Sequence, residues 1–385
     1  MATQIIQGVQ YSGIWTMQQV NAAIAAGTWP NPPAPHLFSW GGGSNGALGL
    51  GNTTNYSSPK QVGTLTTWLN VASGVYSSIA TKTDGTLWSW GANASGQLGL
   101  GNTTYYSSPK QVGALTTWSS VSHNGYSVYA IKPDGTLWVW GNNGSGELGL
   151  GNLTNYSSPK QLGSLTNWAS VAPNGYACFA VKTDGTLWSW GSNLQGQLGL
   201  NNTTGYSSPK QVGALTNWLK VSSAYAAISI VALKTDGTIW TWGYNGQGQL
   251  GLGNTTNYSS PKQVGALNTW TSVAGFTRQL MAIKSGSLWS WGKNQYGVLG
   301  LGNTTYYSSP KQVGALTDWL SLSGGSYAAT SIKTDGTLWV WGRNHKGQLG
   351  LGNVTNYSSP KQVGLLTSWL KVTCGYSNTI AIATT

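Results

Sequence analysis

Acidic side chains are nearly missing from this chain. Its 385 residues include seven Asp and Glu against nineteen Lys and Arg, and charged residues total 7%, where an average domain carries roughly 25%. Five of the acids, Asp84, Asp134, Asp184, Asp236 and Asp335, recur at one turn position, and only Glu147 and Asp318 stand apart. The three histidines, His36, His123 and His345, fall at unrelated positions. Acid–base pairs, metal clusters and nucleophilic triads need several such groups together. The expectation is therefore a protein that is not an enzyme, with no catalytic residue, no metal site and no cofactor. A glycosidase needs two carboxylates, and Glu147 and Asp318 could meet only across a central channel.

Cysteine is scarce too. Cys178 and Cys374 sit at different places in the pattern described below, so no bridge is expected, and free thiols suit a reducing compartment. The N-terminal stretch lacks a basic segment followed by an apolar one, and no apolar run approaches the roughly 20 residues that cross a bilayer. Neither a signal peptide nor membrane insertion is expected.

Glycine and tryptophan are abundant, with 55 and 22 copies. A Trp-Gly pair begins at Trp40, Trp90, Trp140, Trp190, Trp242, Trp291 and Trp341, at intervals of 50, 50, 50, 52, 49 and 50. A Pro-Lys-Gln triplet keeps the same period from Pro59 to Pro360. One copy reads as four short strands. "VYSSIATK" alternates, "TDG" makes a tight turn, and "TLWSWG" returns. "GQLGLGN" is a Gly-rich corner, "SSPKQVG" is a strand with Pro at its start, and "WSSVS" is another. Seven such copies predict an all-β fold: a seven-bladed β-propeller with four-stranded antiparallel blades. Tryptophans at fixed spacing are expected to pack between blades. Lys82, Lys132, Lys182, Lys234, Lys284 and Lys333 are expected to flank the hairpin turns at the surface. The last copy stops at "TIAIATT" and the first begins with the orphan "HLFSWG", so residues 37–40 are expected to pair with 378–384 and close the wheel. This divides the chain into an arm, 1–36, and a propeller, 37–385.

The string "KTDGTLWSWGANASGQLGLGNTTYYSSPKQVG" resembles the repeat of the regulator-of-chromosome-condensation family, in all seven copies. The resemblance implies a seven-bladed propeller closed in this manner. The family's founding member exchanges guanine nucleotide on a small GTPase and docks on chromatin. That activity depends on surface loops and acidic or polar side chains, whereas this chain has almost no acidic surface and no long insertion, so the activity is not carried over.

A second segment, "SGIWTMQQVNAAIAAGTWP", resembles one found in structural proteins of marine tailed bacteriophages. A helix is expected from Met17 to Ala26, with Thr16 as N-cap and Gly27 as stop, followed by a stiff Pro-rich linker. Ile14, Trp15, Val20, Ile24 and Trp29 would anchor this arm on other virion proteins, or plug it onto its own propeller. The resemblance implies a virion component assembled in the host cytoplasm: a tail fibre, baseplate or capsid-surface protein whose propeller binds an anionic host glycan or another virion protein. The alternative is a cellular propeller scaffold or exchange-type interaction protein.

Two sets of residues are candidates for binding. One is a repeated ring on the propeller face, Tyr56, Tyr106, Tyr156, Tyr206, Tyr258, Tyr307 and Tyr357, with Lys60, Lys110, Lys160, Lys210, Lys262, Lys311 and Lys361. An aromatic ring and a cation suit sugars and phosphates; the same residues could instead cover the Gly-rich corner. The other is the loop after the Trp-Gly pair, where the copies differ. Lys293, Tyr296, Arg343, His345 and Lys346 gather there, with Arg278 nearby in sequence. The net charge of +12 points to an anionic partner or simply to solubility. Because the lysines are spread by symmetry and not lined along a groove, no specific nucleic-acid partner is expected.

Overall fold

The computed structural model describes residues 3–6, 9–12, 34–223 and 228–384. Seven four-stranded antiparallel sheets follow one another along the chain. In the first complete blade the strands are Trp68–Ser73, Ser77–Lys82, Leu87–Gly91 and Tyr106–Gln111, paired in that order. The first of each set lines a central channel and the last lies on the circumference. A separate two-stranded ribbon pairs Thr3–Ile6 with Val9–Ser12. The helix expected at 17–26 and its anchor residues Ile14, Trp15, Val20, Ile24 and Trp29 lie outside the described residues.

The wheel closes as the sequence predicts, and over a longer stretch. Pro35–Gly41 pairs antiparallel with Asn378–Thr384 through seven residue pairs, from Pro35 opposite Thr384 to Gly41 opposite Asn378. The C-terminus supplies the two inner strands of this blade and the N-terminal part of the propeller its two outer strands. No strand edge is left unpaired at the join.

Two local expectations need correction. Pro59 and its equivalents sit within the outermost strand, Tyr56–Gln61 in this copy, and not at its start. The register slips between the Ser39–Lys60 and Gly41–Tyr56 pairs, so the proline falls in a bulge of an edge strand, where its missing N–H breaks no ladder bond. The second correction concerns the lysines before the hairpin turn. The innermost strand places Trp168 opposite Lys182, and the ammonium lies 4.9 Å from the Trp168 ring and 3.9 Å from Trp188. Lys132, Lys234 and Lys333 are held the same way between two indoles. Lys182, Lys234 and Lys333 are buried. Cation–π attraction offsets the loss of water at these sites, and burial lowers the Lys182 and Lys234 pKa values.

Adjacent blades are clasped by the tryptophan of the Trp-Gly pair. All seven are fully buried, and in six the indole N–H crosses to a carbonyl of the preceding blade, among them Trp90 to Ala47 at 3.0 Å, Trp140 to Gln97 at 3.0 Å, Trp190 to Glu147 at 2.7 Å and, across the closure, Trp40 to Gln348 at 2.9 Å; Trp291 is buried in the same place without a hydrogen-bond partner among the described residues. A glycine of the Gly-rich corner makes room. A Cβ on Gly149 would lie 2.8 Å from the Trp190 indole nitrogen, and its φ of +75° is in the left-handed region. Gly149→Ala therefore forces the clasp apart as well as straining the backbone. Its expected cost is about 2–4 kcal/mol, measured as a lowered denaturant midpoint with an unchanged slope.

Candidate interaction face around the channel mouth

Because strands alternate in direction, the connections divide between two faces. Turns from the innermost to the second strand, and loops from the third to the outermost, emerge on one side, called the loop face below. The "TDG" turns and the connectors into the next blade emerge on the other, the turn face.

The cations sort themselves onto this frame. Of nineteen, seven lie on the outermost strands and six precede the hairpin turns, most of them against indoles. Six remain. Lys220 and Lys371 belong to the innermost strands, and the Lys371 ammonium donates across the closure to Asn70. The other four, Arg278, Lys293, Arg343 and Lys346, all fall on the loop face. They are tied together by tyrosines. The Arg343 guanidinium lies 4.9 Å from the Tyr296 ring and 5.6 Å from Tyr327, Lys293 lies 5.8 Å from Tyr327, and Arg278 lies 5.9 Å from Tyr244. Tyr296 and Tyr327 meet edge to face at 5.7 Å. Burial and the neighbouring Arg278 lower the Lys293 pKa. His345 is lowered by burial and by Arg343 and Lys346 beside it, so its imidazole is neutral at neutral pH. The structure thus brings together the patch expected from the variable loops.

Tyrosines at the innermost turns went unrecognised in the sequence. Tyr76, Tyr126, Tyr176 and Tyr327 each directly precede the second strand of a blade; Arg278 holds that place in the fifth blade, and Tyr376 stands one residue earlier in the closing blade. Tyr376 reaches both Tyr76 and Tyr327, each at 6.4 Å between rings. Tyr376 borders a channel of about 260 Å³ walled mostly by Ser, Val, Ala and Gly of the innermost strands.

The repeated Tyr and Lys rings lie elsewhere, on the circumference. Each lysine covers the tyrosine of its own strand at 5.4–5.8 Å, from Lys60 over Tyr56 to Lys361 over Tyr357. The hydroxyls of Tyr56, Tyr156, Tyr206, Tyr258, Tyr307 and Tyr357 accept from an asparagine four residues earlier. These ring faces are occupied by the protein itself, which matches the corner-covering role better than a stacking platform.

Carboxylates avoid the loop face. The five "TDG" aspartates and Asp318 are on the turn face, with Asp318 3.4 Å from Lys333. Glu147 belongs to a loop-face loop but is fully buried, accepting from Asn142 and from the Ser145 amide at 2.8 Å. Gln97 fills the same place in the preceding copy. Glu147 and Asp318 are therefore on opposite faces and cannot share a site. Among the described residues no three of His, Cys, Asp and Glu cluster to hold a metal, and no helix is long and apolar enough to cross a membrane.

One pair has the spacing of a nucleophile and its base. His123 Nε2 lies 2.8 Å from Ser77 Oγ, and its Nδ1 lies 3.0 Å from the Ser127 carbonyl. Ser77 is wholly buried, so no substrate reaches its hydroxyl, and the pair serves as a staple between two blades.

A family model described as the regulator of chromosome condensation (RCC1) repeat matches residues 36–81, 84–131, 134–181, 184–227, 236–279, 285–330 and 335–382. The chain belongs to the RCC1 repeat family. A second model of the same repeat matches 68–97 and 319–348. Among solved structures, human WBSCR16 superposes with a TM-score of 0.82 at 20% identity, covering 91% of this chain and 99% of that one. Prp20p of Saccharomyces cerevisiae gives 0.79 at 20% identity, covering 91% and 92%. Identities this low establish a shared propeller fold for this RCC1-repeat chain and nothing finer.

Burial holds the His123 pKa down to about 4. The ordinary value, about 6.5, applies in the unfolded chain, which therefore binds the proton first as pH falls. Stability from this neutral histidine is complete above pH ~6.5 and is lost as pH drops towards 4. The ring edge reaches channel water, so the loss is about 1–2 kcal/mol and not the full shift. His123→Gln should flatten the pH dependence of the unfolding midpoint across that window, while any loss from the broken staple is the same at every pH above 7.

Proposed function

We propose that this protein is a non-enzymatic interaction module whose loop face captures an acidic protein surface. The observation that carries this reading is the separation of charge: every cation set free from the repeat pattern, apart from the two in the channel wall, is on a face with no exposed carboxylate. Half-desolvated cations stacked on tyrosines hold their geometry before a partner arrives, which lowers the ordering cost of binding. Relatives support a protein partner. Prp20p has described binding properties towards Gsp1p and histones, and has been seen bound to Kap60.

The virion reading rests on the resemblance of a segment that lies almost wholly outside the described residues, and the structural relatives that carry the fold argument are human and yeast proteins. The cellular scaffold is the better supported of the two alternatives. Anionic glycan remains the competitor for the same face, since it offers the same charge.

Poly-L-glutamate is a simple probe of this face. Replacing Arg278, Lys293, Arg343 and Lys346 together by serine should weaken its binding at least about fourfold, four surface pairs at about 0.2–1 kcal/mol each. Replacing four rim lysines, Lys110, Lys160, Lys210 and Lys262, should change it less than about twofold beyond the general loss of charge. Equal losses from both sets would show diffuse attraction only, and would remove the proposal.

A further inference from the structure

The turn face has the opposite character from the loop face. One leucine in each connector between blades, from Leu65 to Leu365, is 40–93% exposed. Leu69, Leu219, Leu320 and Leu370, at the start of innermost strands, are 41–61% exposed. Most of the large exposed apolar side chains of the described residues are thus arranged in two concentric rings on one side of the wheel. Exposed apolar surface on this scale marks an interaction site. Between the leucines stand the aspartates of the "TDG" turns, all five exposed, while the lysines beside them are drawn inward. The outermost charge of the turn face is negative, although its sum is close to neutral.

We propose that the turn face of one copy docks on the loop face of another, so that wheels stack head to tail. This rests on reading the loop face as an anion-binding face, and names a second copy of this chain as an occupant. The radial order of the strands matches the two surfaces. In four of the seven blades the innermost strand begins on the turn face at a leucine, and it ends on the loop face at the tyrosines, so these leucines and the tyrosines lie at similar distance from the axis. Farther out, the aspartate turns join the second and third strands, and the loops bearing Lys293, Arg343 and Lys346 join the third and outermost. Stacking therefore sets leucine on tyrosine near the channel and carboxylate against cation around it. Such an interface is heterologous and does not close on itself, so it extends into a stack. The net charge of +12 opposes it at low salt. At 0.15 M the Debye length of about 8 Å screens rim-to-rim repulsion between copies more than contacts made at short range.

Sedimentation velocity of the full chain at about 0.15 M salt and up to about 100 μM tests this. The expected result is a concentration-dependent series running beyond the dimer. Two variants separate the faces. One carries Leu115→Lys, Leu165→Lys and Leu215→Lys on the turn face; the other carries Arg278→Glu and Arg343→Glu on the loop face. All five side chains project from connections or turns at the surface, and near-ultraviolet circular dichroism of the indoles confirms that each variant keeps its fold. Each alone should sediment as a monomer. Mixed in equal amounts they should form a dimer and nothing larger, because each retains the face the other lacks. Three results would overturn the proposal: a wild-type monomer throughout, a loop-face variant that still dimerises alone (back-to-back pairing of turn faces), or a mixture that stays monomeric. Poly-L-glutamate binding by the leucine variant separates the two readings. If it persists while stacking fails, the loop face serves a foreign partner; if it is also absent, the anion-binding reading falls with the stack.

Discussion

The structure depends on a buried indole wedged at each blade boundary, which at six of the seven donates a hydrogen bond across it. A tryptophan is large enough to fill the wedge between twisted sheets, and a buried indole N–H gains by finding an acceptor. Trp190 finds the Glu147 carbonyl and Trp341 the Val298 carbonyl, 43 residues earlier in each case. The same contact made by Trp40 joins positions 308 residues apart. Blade packing and ring closure are thus one interaction repeated, with the chain ends treated like any other boundary. One glycine of each corner, Gly149 and its equivalents, is its complement, since a Cβ there would crowd the ring.

Rigidity of this kind explains where variation is allowed. The circumference uses its lysines and tyrosines to cover itself, strand by strand. The six lysines near the hairpin turns are committed to the indoles or their turns. Side chains that depart from the pattern appear in the loops that supply the clasp's acceptor carbonyls, but at positions ahead of the acceptor, and those of the fifth and sixth blades converge through Tyr296 and Tyr327. A cation-rich face then needs no special architecture. It arises where the repeat leaves loops free and where the corner's one acid, Glu147, is turned inward.

The period, the strands and the closure were legible because they are written in residues whose local chemistry is plain: a Trp-Gly pair in all seven copies, an Asp-Gly turn in five, an orphan strand at each end. The patch was legible because it breaks the repetition. What stayed hidden depends on neighbours that spacing does not reveal. Lys182 reads as a surface lysine until the register sets Trp168 opposite it. Tyr76 and its equivalents read as one more residue of an alternating strand, and their kinship is masked by Arg278 in one copy and by a one-residue offset at Tyr376 in another. Pro59 looked like a strand start because the two-residue slip that admits it is a property of the pair Ser39–Lys60 and not of its own segment.

The central claim is that anion recognition belongs to the loop face alone. Hydrogen–deuterium exchange of the full chain, with and without saturating poly-L-glutamate, tests it most directly. The account predicts added protection in segments 276–279, 293–298, 325–328 and 343–348, with the outermost strands and the "TDG" turns unchanged. Protection centred on 56–61 and its equivalents, or on 83–86 and its equivalents, would contradict it.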